Sequence, residues 1–118
     1  MSKEKFESMA LQEIREFNRE RDWEQFHTPE NLAKSIVIEA GELLKCFQWT
    51  NDFKPENVKE ELADVYSYVL MMADELGFDL EEILLEKIEK NREKYPADRF
   101  KGCSDKYDQV EEYRKIKE

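Results

Sequence analysis

Apolar side chains recur every three or four positions through most of this chain, and the rhythm stops where helix-ending residues cluster. Phe6, Met9, Ala10, Ile14 and Phe17 predict a one-sided amphipathic helix over about residues 3–21. Thr28-Pro29-Glu30-Asn31 supplies an N-cap hydroxyl, a proline for the first helical position and an acid near the positive helix end, so a second helix is expected from about 29. Its stripe of Leu32, Ile36, Ala40, Leu43 and Phe47 runs to about Trp49, and Val37 and Leu44 widen it enough to predict a nearly enveloped helix. Thr50-Asn51-Asp52-Phe53-Lys54-Pro55 reads as a turn. A third helix over about 56–76 carries Val58, Leu62, Val65, Val69, Met72 and Leu76, and Gly77 stands where a left-handed residue ends it. Asp79-Leu80-Glu81-Glu82 has the form of a capping box opening a fourth helix, with Leu80, Ile83, Leu84 and Ile88 inward, and Tyr95-Pro96 closes it. From Lys101 the chain is polar, with Val110, Tyr113 and Ile116 allowing a short amphipathic helix. The expectation is an all-α bundle of four main helices with a short C-terminal helix or tail, one domain over 1–118, without repeats or a recognisable strand.

Composition narrows the partners. A formal net charge of −10 disfavours nucleic acid, whose binders depend on clustered Lys and Arg. Cys46 and Cys103 match no zinc spacing and build no disulfide framework, which fits a reducing compartment. The N-terminus alternates charges, and no apolar run approaches the roughly 18 residues of a membrane span, so the expectation is a soluble, cytoplasmic protein with no membrane partner.

The acids carry the chemistry. Glu39/Glu42 and Glu61/Asp64 are each spaced i,i+3, and both Glu42 with Glu61 and Glu39 with Asp64 centre on position 51.5, inside the predicted turn. In an antiparallel hairpin, residues equidistant from the bend lie at matching depth. At about 100° per residue each pair falls roughly 60° and 120° to the same side of its helix's apolar stripe. Many i,i+3 acid pairs are solvated helix faces, and Glu81/Glu82 and Glu111/Glu112 read that way. The shared register sets the four apart: converging carboxylates repel unless a cation neutralises them, and hard oxygen donors suit a divalent metal. Gly41, inside the second helix at a cost of about 1 kcal/mol, predicts a close approach there.

Glu39-Ala40-Gly41-Glu42 followed by Glu60-Glu61-Leu62-Ala63-Asp64-Val65 resembles the E-x-x-E…E-x-x-D signature of the MazG-like, all-α nucleoside triphosphate pyrophosphohydrolases. Arg21-Asp22-Trp23-Glu24-Gln25-Phe26-His27, Phe47-Gln48-Trp49 and Asn91-Arg92 before Tyr95-Pro96 look like its dCTP pyrophosphatase branch. The resemblance, over about residues 10–107, implies an enzyme that cleaves a nucleoside triphosphate between its α and β phosphates, giving a monophosphate and pyrophosphate. It implies dCTP or a related pyrimidine dNTP as substrate, Mg²⁺ as cofactor with Mn²⁺ as a substitute, and a homotetramer or at least a dimer with a partly shared pocket. Glu39, Glu42, Glu61 and Asp64 would hold the metal, with Glu39 or Glu42 orienting the attacking water. Trp23 and Trp49 match aromatics that enclose the base, and Trp49 lies seven residues after Glu42 on the same expected helix face. Tyr68, i+4 from Asp64, matches a tyrosine near the sugar, while Lys87 and Asn91 match phosphate and nucleotide contacts, with Arg92 and Lys106 as further phosphate candidates. His27, the only histidine, is assigned to the base pocket or to a structural role, since a di-iron site needs two E-x-x-H motifs and Glu24-Gln25-Phe26-His27 is one.

Ile14 stands where the resemblance leads one to expect a histidine, which weakens the case for strict cytosine preference. A broad-specificity NTP/dNTP pyrophosphohydrolase is therefore an alternative. A catalytically silent acidic helical module acting through protein contacts is a second one, because helical bundles host many functions.

Overall fold

The structure is a computed structural model and describes residues 3–103. All its described elements are helical: α1 (Lys3–Glu20), a 3₁₀ turn (Glu24–Phe26), α2 (Pro29–Lys45), α3 (Pro55–Leu76), α4 (Leu80–Lys94) and a single-turn α5 (Ala97–Phe100). No helix among them is long and apolar enough to cross a membrane. The chain divides into two compact units, the first running to Asp79 and the second starting at Leu80.

In the first unit the helix ends follow the local signals. The Thr28 hydroxyl accepts from the Asn31 amide at 3.2 Å, with Pro29 at the first helical position. Gly77 takes φ 74° after α3, and the Phe78 amide returns to the Ala73 carbonyl at 2.8 Å in a Schellman motif. The end of α1 uses the same device without glycine: Asp22 adopts φ 55°, its amide reaches the Arg19 carbonyl at 3.1 Å, and the Trp23 amide reaches the Asn18 carbonyl at 3.0 Å. Aspartate is among the few side chains that tolerate this conformation.

α2 ends four residues earlier than the apolar pattern implies. Cys46, Phe47 and Gln48 donate to the carbonyls of Leu43, Leu44 and Lys45, bonds that tighten the helix end to three residues per turn. Phe47 packs on Phe53 with ring centroids 4.9 Å apart, so it closes the loop rather than extending the stripe. Trp49 lies outside the helix at φ 64°.

α2 and α3 form a hairpin with the most extensive packing between elements, and α1 lies more sparsely on α3. The buried core of this unit is small: Leu32 on α2, with Leu70 and Ala73 on α3. Arg15 on α1 adds a two-pronged ion pair to Asp74 on α3, with Nε donating to Oδ2 at 2.9 Å. α2 is not enveloped within the single chain, since Val37 and Leu44 are each 71% exposed with Gly41 between them on the same face. A Cβ at Gly41 would meet nothing within 4 Å, so the expected close approach is not made inside the chain.

In the second unit Tyr95 and Phe100 meet edge to face at 5.1 Å, and Phe100 is buried. Ile83 and Leu84 on α4, expected inward, are exposed in the single chain.

Candidate active site

The hairpin brings together three of the four acids. Oxygens of Glu39 on α2 and of Glu61 and Asp64 on α3 all lie within 4.8 Å of one another, with the two glutamates half-buried and Asp64 exposed. Partial burial, and then the charges of Asp64, Glu39, Glu42 and Glu60, raise the carboxyl of Glu61 above the usual glutamate range. The fourth acid, Glu42, is not in the group; its Oε1 accepts from Lys45 Nζ at 3.2 Å, one turn along α2. The donor set is entirely carboxylate, which fits Mg²⁺, Mn²⁺ or Ca²⁺ and not a soft metal.

Beside this cluster lies a cavity of about 530 Å³. Its floor is one face of α3, with Asp64, Ser67, Tyr68 and Met71, and its wall is the facing stripe of α1, with Ile14, Phe17, Asn18 and Arg21. Trp23 and His27, from either side of the 3₁₀ turn, complete it. The volume suits a small-molecule ligand. Asp64 belongs both to the acid group and to the cavity lining, so whatever occupies the cavity sits next to the carboxylates.

The end of α1 positions the aromatic wall. The Schellman motif places Trp23 one residue past the left-handed Asp22, and the indole packs edge-on against Phe17, one turn back, with centroids 5.7 Å apart at 71°. Arg21 lays its guanidinium 3.7 Å over the Phe17 ring and donates Nη1 to the Phe17 carbonyl at 3.0 Å. Phe26 offers its carbonyl to Asn31 Nδ2 at 3.0 Å, which ties the 3₁₀ turn to the first turn of α2.

Of the remaining residues singled out by sequence, Trp49 is outside the cavity lining and 94% exposed. Lys87 and Asn91 are exposed on α4 in the second unit, where Arg92 pairs with Glu89. Lys106 lies outside the described residues. Sequence reasoning quotes Arg21 within a motif without giving it a role, and passes over Asn18. Asn18 had a readable signal: it is a polar position inside the α1 stripe formed by Ile14, Phe17 and Arg21.

A family model described as MazG-like matches residues 34–110. The chain is 39% identical over 112 residues to dCTP pyrophosphatase 1 of Mus musculus, covering 83% of this chain and 66% of that protein. It is 40% identical over 115 residues to the Homo sapiens protein of the same name, covering 86% and 68%. The chain thus spans about two thirds of the length of these curated relatives. Among solved structures, a pyrophosphatase from Archaeoglobus fulgidus superposes with a TM-score of 0.71 at 41% identity, over 75% of this chain and 91% of that one.

Proposed function

The chain belongs to the MazG-like family, and from that premise we propose that it is a nucleoside triphosphate pyrophosphohydrolase. It cleaves dCTP or a related pyrimidine dNTP to the monophosphate and pyrophosphate, with Mg²⁺ or in its place Mn²⁺, and so clears surplus or modified nucleotides from the cytoplasmic pool. The observation that carries the reading is the position of Asp64, shared by the carboxylate group and by the floor of a nucleotide-sized cavity.

Each residue then has a task. Glu39, Glu61 and Asp64 hold the divalent cation, and Glu42 joins them when its carboxylate leaves Lys45. A divalent cation held by these carboxylates would supply Lewis-acid polarisation of the attacked phosphoryl group and would make a nearby water more acidic. A free carboxylate oxygen of Glu39 or Glu42 takes the proton from the attacking water. Trp23, fixed by Phe17, presents an aromatic face to the base, and a stacked base gains about 1–3 kcal/mol. Tyr68, one turn from Asp64 on α3, stands beside the sugar, and His27 borders the base. The resemblance assigns Lys87 and Asn91 to phosphate and nucleotide contacts and leaves Arg92 and Lys106 as further phosphate candidates.

The protein works as a homo-oligomer, a tetramer or at least a dimer. Support comes from Val37, Gly41 and Leu44, an apolar outer face with room for a second helix, and from Trp49, whose exposed indole is free to reach a neighbouring subunit's pocket. A second reading, a broader NTP/dNTP specificity, is favoured by one observation: Ile14 gives the cavity wall an apolar side chain where close relatives lead one to expect a histidine.

The test is pyrophosphate release from dCTP, dTTP, dUTP and the ribonucleotides, with and without Mg²⁺. Release only with Mg²⁺ and mainly from pyrimidine dNTPs supports the reading, uniform release supports the broad alternative, and no release from any nucleotide overturns both in favour of a silent interaction module.

A further inference from the structure

One polar group in the cavity wall has no task in the scheme above. Asn18 is 5% exposed and is the only buried polar side chain among the described residues. Its Nδ2 donates to the Met71 thioether sulfur at 3.6 Å, but its Oδ1 has no hydrogen-bond partner among them. A buried amide oxygen left unpaired is destabilising, and a leucine of similar size would avoid the cost. Buried polar groups without a partner are uncommon in folded proteins, and each calls for an explanation.

The orientation of the amide follows from its neighbour. A thioether accepts hydrogen bonds and cannot donate them, so Met71 holds the NH₂ and leaves the oxygen as the free end. What is missing is therefore a donor. The backbone carbonyl of the same residue accepts from the Trp23 amide at 3.0 Å, so Asn18 also anchors the aromatic face on which a base would stack. Asn18 and Trp23 line the same cavity, and the soft χ2 of asparagine lets Oδ1 rock to the cavity surface without disturbing α1.

We propose that Asn18 is a specificity-determining residue whose Oδ1 accepts a hydrogen bond from an amino group on the nucleobase edge. Cytosine presents such a donor at C4, whereas thymine and uracil present a carbonyl oxygen there, which Oδ1 repels. The proposal rests on the nucleotide reading above and adds to it the group that reads the base.

The experiment is steady-state pyrophosphate release by the full chain with Mg²⁺, comparing dCTP, dTTP and the deoxyribonucleotide of 2-pyrimidinone, which lacks the amino group. Wild type is expected to favour dCTP over both by about 10-fold or more in kcat/KM, chiefly through KM. Asn18→Leu is expected to collapse that ratio to within about 3-fold while its melting temperature stays equal or rises, because an unpaired polar group has been removed. A merely structural asparagine would leave the ratio intact. Equal kcat/KM for dCTP and the 2-pyrimidinone nucleotide in wild type overturns the proposal without any variant, and so does an unchanged ratio in a folded Asn18→Leu. No release from any nucleotide overturns the pyrophosphohydrolase reading and this one with it, so the two failures are distinguishable.

Discussion

The two walls of the site are built on opposite principles. On the α2–α3 side, Glu39, Glu61 and Asp64 are pressed together by the packing of a helical hairpin, and partial burial, then the neighbouring negative charges, raise the Glu61 carboxyl. On the α1 side, Phe17, Arg21 and Trp23 are held in favourable contact by a helix terminus, a stacked guanidinium and an edge-on aromatic pair. The first wall holds like charges close together, whereas the second is held by favourable contacts, apart from the unpartnered amide oxygen of Asn18. The two meet at Asp64, which belongs to the acid group and lines the cavity that Phe17, Arg21 and Trp23 also line, an arrangement in keeping with the proposed substrate, charged at one end and a flat ring at the other.

The sharpest way to break the comparison is to neutralise the strained wall. Glu61→Gln should lower kcat/KM by about 100-fold or more, and in chelator it should melt no lower than wild type, because a repelling charge is gone. Full activity in this variant would remove the acids from the chemistry. On the other wall, Trp23→Ala should raise KM by about 10-fold, from the stacking it loses, with a smaller change in kcat. An equal fall in both parameters' quotient through kcat alone would mean that the indole serves the reacting phosphates and not the base.

Smaller effects follow from titration. Because Glu61 holds its proton more tightly in the folded chain than in the unfolded one, the metal-free protein should lose some stability as pH rises from 4.5, the ordinary value, through the raised one. Added Mg²⁺ should flatten that slope in melting curves, and a slope indifferent to Mg²⁺ would argue that no cation relieves these acids. Asp74 has the opposite sign: Arg15 holds its carboxyl below 3.8, so its contribution is present above that pH and lost as pH falls through the lowered value. Both partners are partly exposed, so Arg15→Ala should cost about 1 kcal/mol at most at neutral pH, detectable as a modest drop in melting temperature that vanishes in acid. Smallest of all, Trp49→Ala should leave the stability of the chain within about 0.5 kcal/mol. A rise in KM in that otherwise unaltered variant would place the indole at a neighbouring subunit's cavity.

Helix boundaries were legible wherever a single residue type carries the signal. Thr28 with Pro29, and Gly77, act on their own backbone neighbours and fall where the sequence places them, while Pro55, read as the end of the turn, is the first residue of α3. The end of α2 was not, because Phe47 continues the apolar period in sequence while its ring packs on Phe53 across the loop. The outer apolar residues of α2 and α4 misled for a related reason: periodicity reports that a face is apolar and says nothing of which chain covers it. The acids were legible as a register about the loop. Trp23, His27 and Tyr68 were named from motif resemblance, and the structure brings all three to one cavity. Asn18 was not named, since a lone polar residue in a stripe gains meaning only when its partners can be counted.

By itself, then, the sequence determined the helices, the hairpin and the flank on which each acid stands, because rise and rotation per residue are local properties of the backbone. Only the tertiary structure decided that Glu39, Glu61 and Asp64 meet while Glu42 turns to Lys45, that α1 and α3 leave a cavity between them, and that one amide oxygen in its wall lacks a donor. Those outcomes depend on rotamers and on packing between helices remote in sequence, where a few ångströms separate a shared site from a surface ion pair.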